Sequence, residues 1–333
     1  MKFGPVAVDR AAGSVLAHSV RIGPVRLRKG QVLTAQQCAA LGAAGLREIV
    51  VARLEAGDLD ENAAATALAA ALVPDPAAAG LRPTGAFTGR VNLIAEAPGL
   101  ARIDAAAIDR ANRVHPMITV ATAPRWQRMQ HDGMVATVKI ISYAVPGTAL
   151  ARACDAARGA LALQRPVLRR AGFIETLVPG AEAAAAKGHL MMQARLRRLD
   201  AELAPPVTVA HRIAPLARAI AECREELVLI LTGSATSDPA DIAPEAVRRA
   251  GGRIVHFGMP VDPGNLLFLG EIGARKVIGL PGSARSPAVS GVDRIVDRIV
   301  CGVPVGPDDI MAMGVGGLLK EIPSRPQPRR QPR

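Results

Sequence analysis

The residues best suited to chemistry lie between 232 and 241. Thr232-Gly233-Ser234-Ala235-Thr236-Ser237 follows the aliphatic run LVLIL, and Asp238 and Asp241 come just ahead of Pro244-Glu245. Glycine permits positive φ and close backbone approach, while Ser and Thr add hydroxyl groups. A turn of exposed N–H groups that runs into a helix N-terminus is an anion site, because the first amides of the helix are unpaired and carry partial positive charge. A second stretch repeats the pattern: Leu280-Pro281-Gly282-Ser283-Ala284-Arg285-Ser286 leaves the apolar run KVIGL, and GMPVDPG lies between the two. One small-residue turn after a strand is common. Two in one α/β unit point to a phosphorylated ligand gripped by both. Asp241 has two readings: it caps the helix that begins near Pro244, or it stands beside a bound phosphate. In the second case it repels the ligand unless a metal or a donor group lies between.

Strand and helix patterns that position these turns alternate from about residue 166. VLRRAGFIETLV, VTVAH, LVLIL, RIVHF and KVIGL predict strands, and HLMMQARLRRLDAEL, IAPLARAIAECREE, APEAVRRAGG and SPAVSGVDRIVDRIVCG predict helices. In the last helix Val289, Val292, Val296, Ile299 and Val300 recur at helical spacing, which turns one stripe to a sheet. All-apolar strands alternating with helices predict a mostly parallel sheet covered on both faces, whose ligands bind beyond the carboxyl ends of the strands.

Residues 1–165 read as a smaller α+β module. A turn at Lys29-Gly30, a helix N-capped by Thr34 and stopped near Gly45, and a strand around Ile49 to Val51 come first. ENAAATALAAALV predicts an alanine-rich helix at the periphery, and PDPAAAGLRPTGAFTG a loop-rich connection. Then follow a helix (IDAAAIDRANRV), two strands (MITVATA and GMVATVKIISYAV) and a helix after Pro146-Gly147. Trp126 and Tyr143, the single Trp and Tyr, are expected to anchor packing. Lys139 either faces a phosphate or lies on the solvated side of a half-buried strand.

The chain has 333 residues, 50% hydrophobic but 2% aromatic, so its core is built from Ala, Val, Leu and Ile, as suits α/β layers. No apolar run reaches the ~18 residues that span a bilayer, and MKFGPVAVDRAAG lacks the apolar stretch of a signal peptide. A cytoplasmic protein with no membrane partner is expected. Cys38, Cys154, Cys223 and Cys301 are far apart and form no CxxC, so buried reduced thiols are expected in place of zinc or disulfides. The net charge of +12 comes partly from the tail SRPQPRRQPR, whose composition predicts a disordered basic segment over 321–333. Base-stacking aromatics and nucleic-acid motifs are missing, so the positive charge suits a phosphorylated small molecule better than specific nucleic-acid binding.

Thr232-Gly233-Ser234-Ala235-Thr236 and, without a gap, Asp241-Ile242-Ala243-Pro244-Glu245-Ala246 resemble the TGGTG…D-[VT]-[TS]-PEA signature of the molybdopterin-binding MoaB/Mog family. MPVDPGNLLFLGEIGARKVIGLPGSARS resembles the matching region of the molybdenum insertases, and the likeness covers about residues 167–305. VAVDRAAGSVLAHSVR and LRKGQVLTAQQCAALGAAGLREIVV, within about 5–53, resemble the insertase linker region. The resemblance implies a three-layer α/β/α domain over 166–320 that binds molybdopterin, or its adenylylated form, by its phosphate. Family members transfer AMP to the pterin or exchange AMP for molybdate with a divalent metal, so Mg²⁺ and transferase chemistry are implied. A homo-oligomer is implied as well. Carried over, Thr232, Gly233, Ser234, Ala235, Thr236 and Ser237 cradle the phosphate, and Pro281, Gly282, Ser283 and Ser286 form the opposite wall. Asp241 is the acidic residue of the pterin site, catalytic and metal-binding.

This sequence departs from the family pattern at several points. Ser234 replaces the second glycine, Ala235 the usual Thr or Val, Asn265 the insertase Lys after Pro-Gly, and Ser283-Ala284 the usual Asn-Pro. The preceding α/β turn, where the family has a second aspartate, reads VAHRIAPL with His211 and Arg212, and no S-x-M-D-G-Y motif occurs between 80 and 150. Arg212 either contacts the phosphate or pterin in place of that acid or is a surface charge at a helix start. A metal-dependent transfer that needs two carboxylates has lost one. The alternative is a non-catalytic carrier that delivers the cofactor to a nucleotidyltransferase or a molybdoenzyme.

Overall fold

In a computed structural model the described residues are 1–178 and 182–319, with no side-chain description for 182–186. The basic segment expected to be disordered, 321–333, lies outside them. The chain divides into two units, Met1–Ala97 with Ala101–Leu163, and Pro98–Leu100 with Gln164–Arg333.

The first unit holds two cores. In one, the helix Ala35–Ala43 packs Cys38 and Leu41 against Leu16, Leu33 and Val51. Thr34 starts it with a reciprocal cap: its hydroxyl accepts from Gln37 N at 3.2 Å, and the Gln37 side chain accepts from Thr34 N at 3.0 Å. The strands Lys2–Ala7 and Val15–Leu16 flank Glu48–Arg53 in an antiparallel sheet.

The second core corrects two expectations. The helix Glu61–Leu72 is central instead of peripheral, with Ala64, Ala65, Leu68, Ala69, Ala71 and Leu72 all buried. Alanine has little hydrophobic contrast in a sequence, but its small side chain lets a helix axis come close to a sheet. The stretch expected to be loop-rich contains the helix Pro76–Ala79, capped by Asp75, and the strand Leu81–Pro83. That strand is the edge of an antiparallel sheet with Arg90–Ala95, Met134–Ile140 and Ile118–Thr122. The long strand expected over 133–145 stops at Ile140, and the chain pairs again only at Ala144–Pro146, with Asp58–Asp60. Lys139 is neither free nor fully solvated: its ammonium donates to the Thr88 carbonyl and lies 3.9 Å from Glu61. Tyr143 anchors packing through its hydroxyl, which donates to Ala17 O at 2.9 Å.

The second unit is a three-layer α/β/α domain with a mostly parallel sheet. Arg170–Leu177 is flanked on one side by Glu202–Leu203 and Val207–Ala210 and on the other by Leu227–Leu231, followed by Arg275–Leu280, all parallel. Phe268–Ile272, which the sequence reading did not single out, turns back antiparallel beside Arg275–Leu280 and pairs with Arg253–Phe257 at the edge. The helices Ile213–Glu222 and Ile242–Arg249 bury Leu216, Ile220 and Val247 against Ile174, Val228, Ile230 and Val277 on one face. Glu182–Arg197 covers the other face, where His189 meets Phe173 edge-on. The last long helix is shorter than expected, running Gly291–Val300. Ser290 and Asp293 form its cap, and the chain before it is extended, which leaves Val289 52% exposed and off the buried stripe. All four cysteines are free thiols, and no helix among the described residues is long and apolar enough to cross a membrane.

Candidate functional site

Strand register decides what meets at the carboxyl rim of this sheet. Leu231 lies opposite Leu280, Glu175 opposite Leu231, and Leu177 opposite Ala210. Four adjacent strands therefore end together, which brings 176–178, 211, 232–237 and 281–286 to one edge.

In the turn at 232–237 the glycine serves packing. Gly233 does not use the positive φ that glycine permits, but it does allow close backbone approach: a Cβ there would lie 2.8 Å from Thr176 O and 3.0 Å from Val178 N. Its N–H is already engaged, donating to Thr176 Oγ1 at 3.0 Å. Thr232 and Thr236 are buried with their hydroxyls 3.3 Å apart, closing the base of the turn. Ser234, Ala235 and Ser237 are exposed, and the N–H groups of Ser234, Ala235 and Thr236 make no hydrogen bond among the described residues.

Asp241 is the N-cap of Ile242–Arg249. Its Oδ1 accepts from Ile242 N at 2.6 Å, and its Oδ2 accepts from Ser237 N at 3.1 Å, folding the turn back on the helix. The capping reading is the one the geometry realises. No group of three or more His, Cys, Asp or Glu side chains that could hold a metal occurs among the described residues.

The turn at 281–286 is held from behind. Pro281 is buried, and Gly282–Arg285 form a 3₁₀ turn in which a Cβ on Gly282 would meet open space. Arg195, 4% exposed, donates from Nη1 to Ala284 O at 2.8 Å, and from Nη2 to Ser286 O at 2.7 Å and Ala288 O at 3.1 Å. Its Nε donates to Asp293 Oδ1 at 3.3 Å, and Asp293 Oδ2 accepts from Ser290 N at 2.9 Å. A planar fork with five donors suits this set of carbonyls; a lysine ammonium does not. Ser286 Oγ accepts from Ala288 N at 3.2 Å, whereas Ser283 Oγ is buried with no hydrogen-bond partner among the described residues.

Arg285 joins the two turns. Its Nη2 donates to Thr232 O at 3.0 Å and lies 3.6 Å from Glu175 Oε1. Glu175 is buried, and burial pushes its carboxyl above the usual carboxylate range while Arg285 pulls it back. Gly188 leaves room for this pair, since a Cβ there would lie 2.3 Å from Leu231 Cδ2 and 3.3 Å from Glu175 Oε1.

Glu175, Thr176, Arg195 and the linking role of Arg285 were not read from the sequence. An acid inside the apolar strand FIETLV was a usable signal for Glu175, but nothing sets Arg195 apart from its neighbours in ARLRRL. Arg212 is exposed just ahead of Ile213–Glu222, which matches the surface-charge reading. The N–H groups of 234–236, which make no hydrogen bond among the described residues, and the nearby Arg285 suit a ligand rich in anionic oxygen.

Fold and rim together define an α/β domain with paired glycine-and-hydroxyl turns at the carboxyl edge of a mostly parallel sheet. Residues 181–301 match the family described as "Probable molybdopterin binding domain", and this span belongs to that family. The match ties the chain to molybdenum cofactor biosynthesis. Residues 5–53 match a second family, described as a domain of unknown function. No curated protein matches the chain by sequence. The solved structure of a molybdopterin biosynthesis moea protein from Pyrococcus horikosii aligns over 90% of this chain and 75% of that one, at 12% identity and a TM-score of 0.30, too low to bear on the fold.

Proposed function

We propose that the C-terminal domain binds the phosphate end of molybdopterin, or of its adenylylated form, between the turns 232–237 and 281–286. The observation that carries this reading is the pairing of Leu231 with Leu280, which sets the two turns side by side, with three consecutive N–H groups on one of them that make no hydrogen bond among the described residues. Thr232 and Thr236 shape the first turn; Ser234, Ala235 and Ser237 are the residues open to the ligand. Pro281, Gly282, Ser283 and Ser286 form the opposing wall. A divalent ion such as Mg²⁺, which takes few protein ligands beside phosphate oxygens, would share Asp241 with the ligand.

Carriage of the cofactor to a nucleotidyltransferase or a molybdoenzyme is favoured over transfer by one observation. Both Asp241 oxygens already accept from backbone N–H groups, which holds this carboxylate in a capping role. Calorimetry with pure molybdopterin tests binding, with heat expected and its absence overturning the reading. Incubation with adenylylated molybdopterin, molybdate and Mg²⁺ then separates the two roles: AMP release identifies a transferase, and no release at any metal concentration leaves the carrier.

A further inference from the structure

One half-buried side chain at the rim has no part in the site as proposed above. His211 follows the strand Val207–Ala210, and its N–H donates to Leu177 O at 3.0 Å, extending the parallel ladder past the strand end. Its Nδ1 lies 2.8 Å from Thr176 Oγ1, and the same hydroxyl accepts from Gly233 N at 3.0 Å. Thr176 is fully buried. A backbone N–H can only donate, so it takes one lone pair of that hydroxyl. The hydroxyl proton then needs an acceptor, because a buried donor without one is strongly disfavoured, and Nδ1 is the acceptor within reach. With Nδ1 in that accepting role, the N–H of the ring is on Nε2. Nε2 makes no hydrogen bond among the described residues, yet unlike Nε2 of His256 it is not sealed from solvent. That donor stands at the end of a strand separated from the one that carries Gly233 by Arg170–Leu177.

We propose that His211 is a ligand-contacting residue of the rim, an Nε2–H donor positioned by Thr176 to bond an anionic phosphate or phosphoanhydride oxygen. The inference rests on the function proposed above. Its chemistry is that of a donor: a group presented to His211 accepts a hydrogen bond, and no metal is bridged there. The relay Gly233–Thr176–His211 also links this donor to the cradle, so the ring and the turn at 232–237 are set by the same hydroxyl.

The test has a ligand-free and a ligand-bound arm, both on the full chain. Two-bond ¹⁵N–¹H spectra of the free protein should show His211 as the Nε2–H tautomer, and Thr176→Val should erode this to a mixture. An Nδ1–H tautomer in the wild type overturns the proposal. In calorimetry with molybdopterin, His211→Leu should weaken binding about tenfold or more, the scale of a hydrogen bond to a charged group. His211→Gln, whose amide reaches the Nε2 position, should recover binding to within about threefold. Wild-type binding with His211→Leu unchanged overturns this role alone, whereas no binding by the wild type overturns the site and this role together. If His211→Leu does not fold, the wild-type Nε2 resonance decides: a shift on adding molybdopterin supports the contact, and none overturns it.

Discussion

The two rim turns are written in nearly the same residues, yet they are built in opposite ways. The turn at 232–237 is fixed from within and from the side: Gly233 presses against the backbone of 176–178, two threonine hydroxyls face one another beneath it, and Asp241 ties Ser237 to the next helix. The turn at 281–286 has an open glycine and is fixed from behind by one buried arginine that gathers three carbonyls. A glycine in an anion-binding pattern is therefore ambiguous. Gly233 answers to packing, and Gly282 leaves space on the side where a ligand would lie.

The largest effect expected from breaking this contrast is at Arg195. Arg195→Met removes the fork and with it the buried ion pair to Asp293, which is 4% exposed. Breaking a buried pair from one side costs about 3–5 kcal/mol, read from the shift of the denaturant midpoint. Arg195→Lys should recover only part of it, since an ammonium cannot reproduce the planar set of bonds. If Arg195→Met leaves the midpoint unmoved, the second turn is not held as described.

Next comes Gly233→Ala. The added methyl meets backbone atoms of the neighbouring strand end, which must shift, at about 1–3 kcal/mol by analogy with overpacked cores. Asp241→Ala should cost about 1 kcal/mol through loss of the helix cap. Asp241→Asn should keep most of that stability, because Asn is also a good cap, while removing the charge. If the protein turns over adenylylated molybdopterin, Asp241→Asn should lower AMP release more than it lowers binding. An equal loss of both would make Asp241 a structural residue of the turn.

This contrast also marks what the sequence could convey. Alternating apolar strands and helices announced the parallel layers, and the small-residue turns announced the rim. Register then follows, because all-apolar strands such as LVLIL and KVIGL stack side by side and end together. The strand Phe268–Ile272 was harder to see because it follows Pro263-Gly264-Asn265 and reads as a continuation of that loop. The helix Glu61–Leu72 was misplaced because alanine signals neither core nor surface. The supports of the site were least legible. Arg195 and Arg285 act across 89 and 53 residues of chain, on Ala284 O and Thr232 O, and backbone carbonyls have no sequence signature.

Smaller in stability, and sharper for function, is Gly282→Ala. With open space at the Cβ position and no positive φ to satisfy, the methyl should change stability by less than about 0.5 kcal/mol. The same methyl would stand where the ligand is proposed to lie, so molybdopterin affinity should fall while the melting temperature holds. Gly233→Ala should do the reverse in order, moving the melting temperature first. Both variants lowering stability alike would erase the distinction between a packing glycine and a ligand-side glycine.

The smallest effect concerns Glu175, where pH supplies the lever. Burial raises its carboxyl above the ordinary carboxylate range, so the folded state favours the protonated form more than the unfolded state does. Its contribution to stability is complete below pH about 4.5 and is lost as pH rises through the folded value. Glu175→Gln keeps the shape without the ionisation. Its stability relative to wild type should therefore be lowest in acid and should climb toward neutral pH. Arg285 limits the climb, since its attraction offsets part of the burial penalty and the variant forfeits it. Denaturant midpoints of both proteins from pH 4 to 8 measure the difference. A gap that is flat with pH would mean that the Arg285 pair cancels the burial penalty in full, and a gap that falls as pH rises would mean that the pair outweighs it. In that last case the junction between the two turns is a stabilising ion pair, and Arg285→Met should destabilise the 232–237 turn as Arg195→Met destabilises its counterpart.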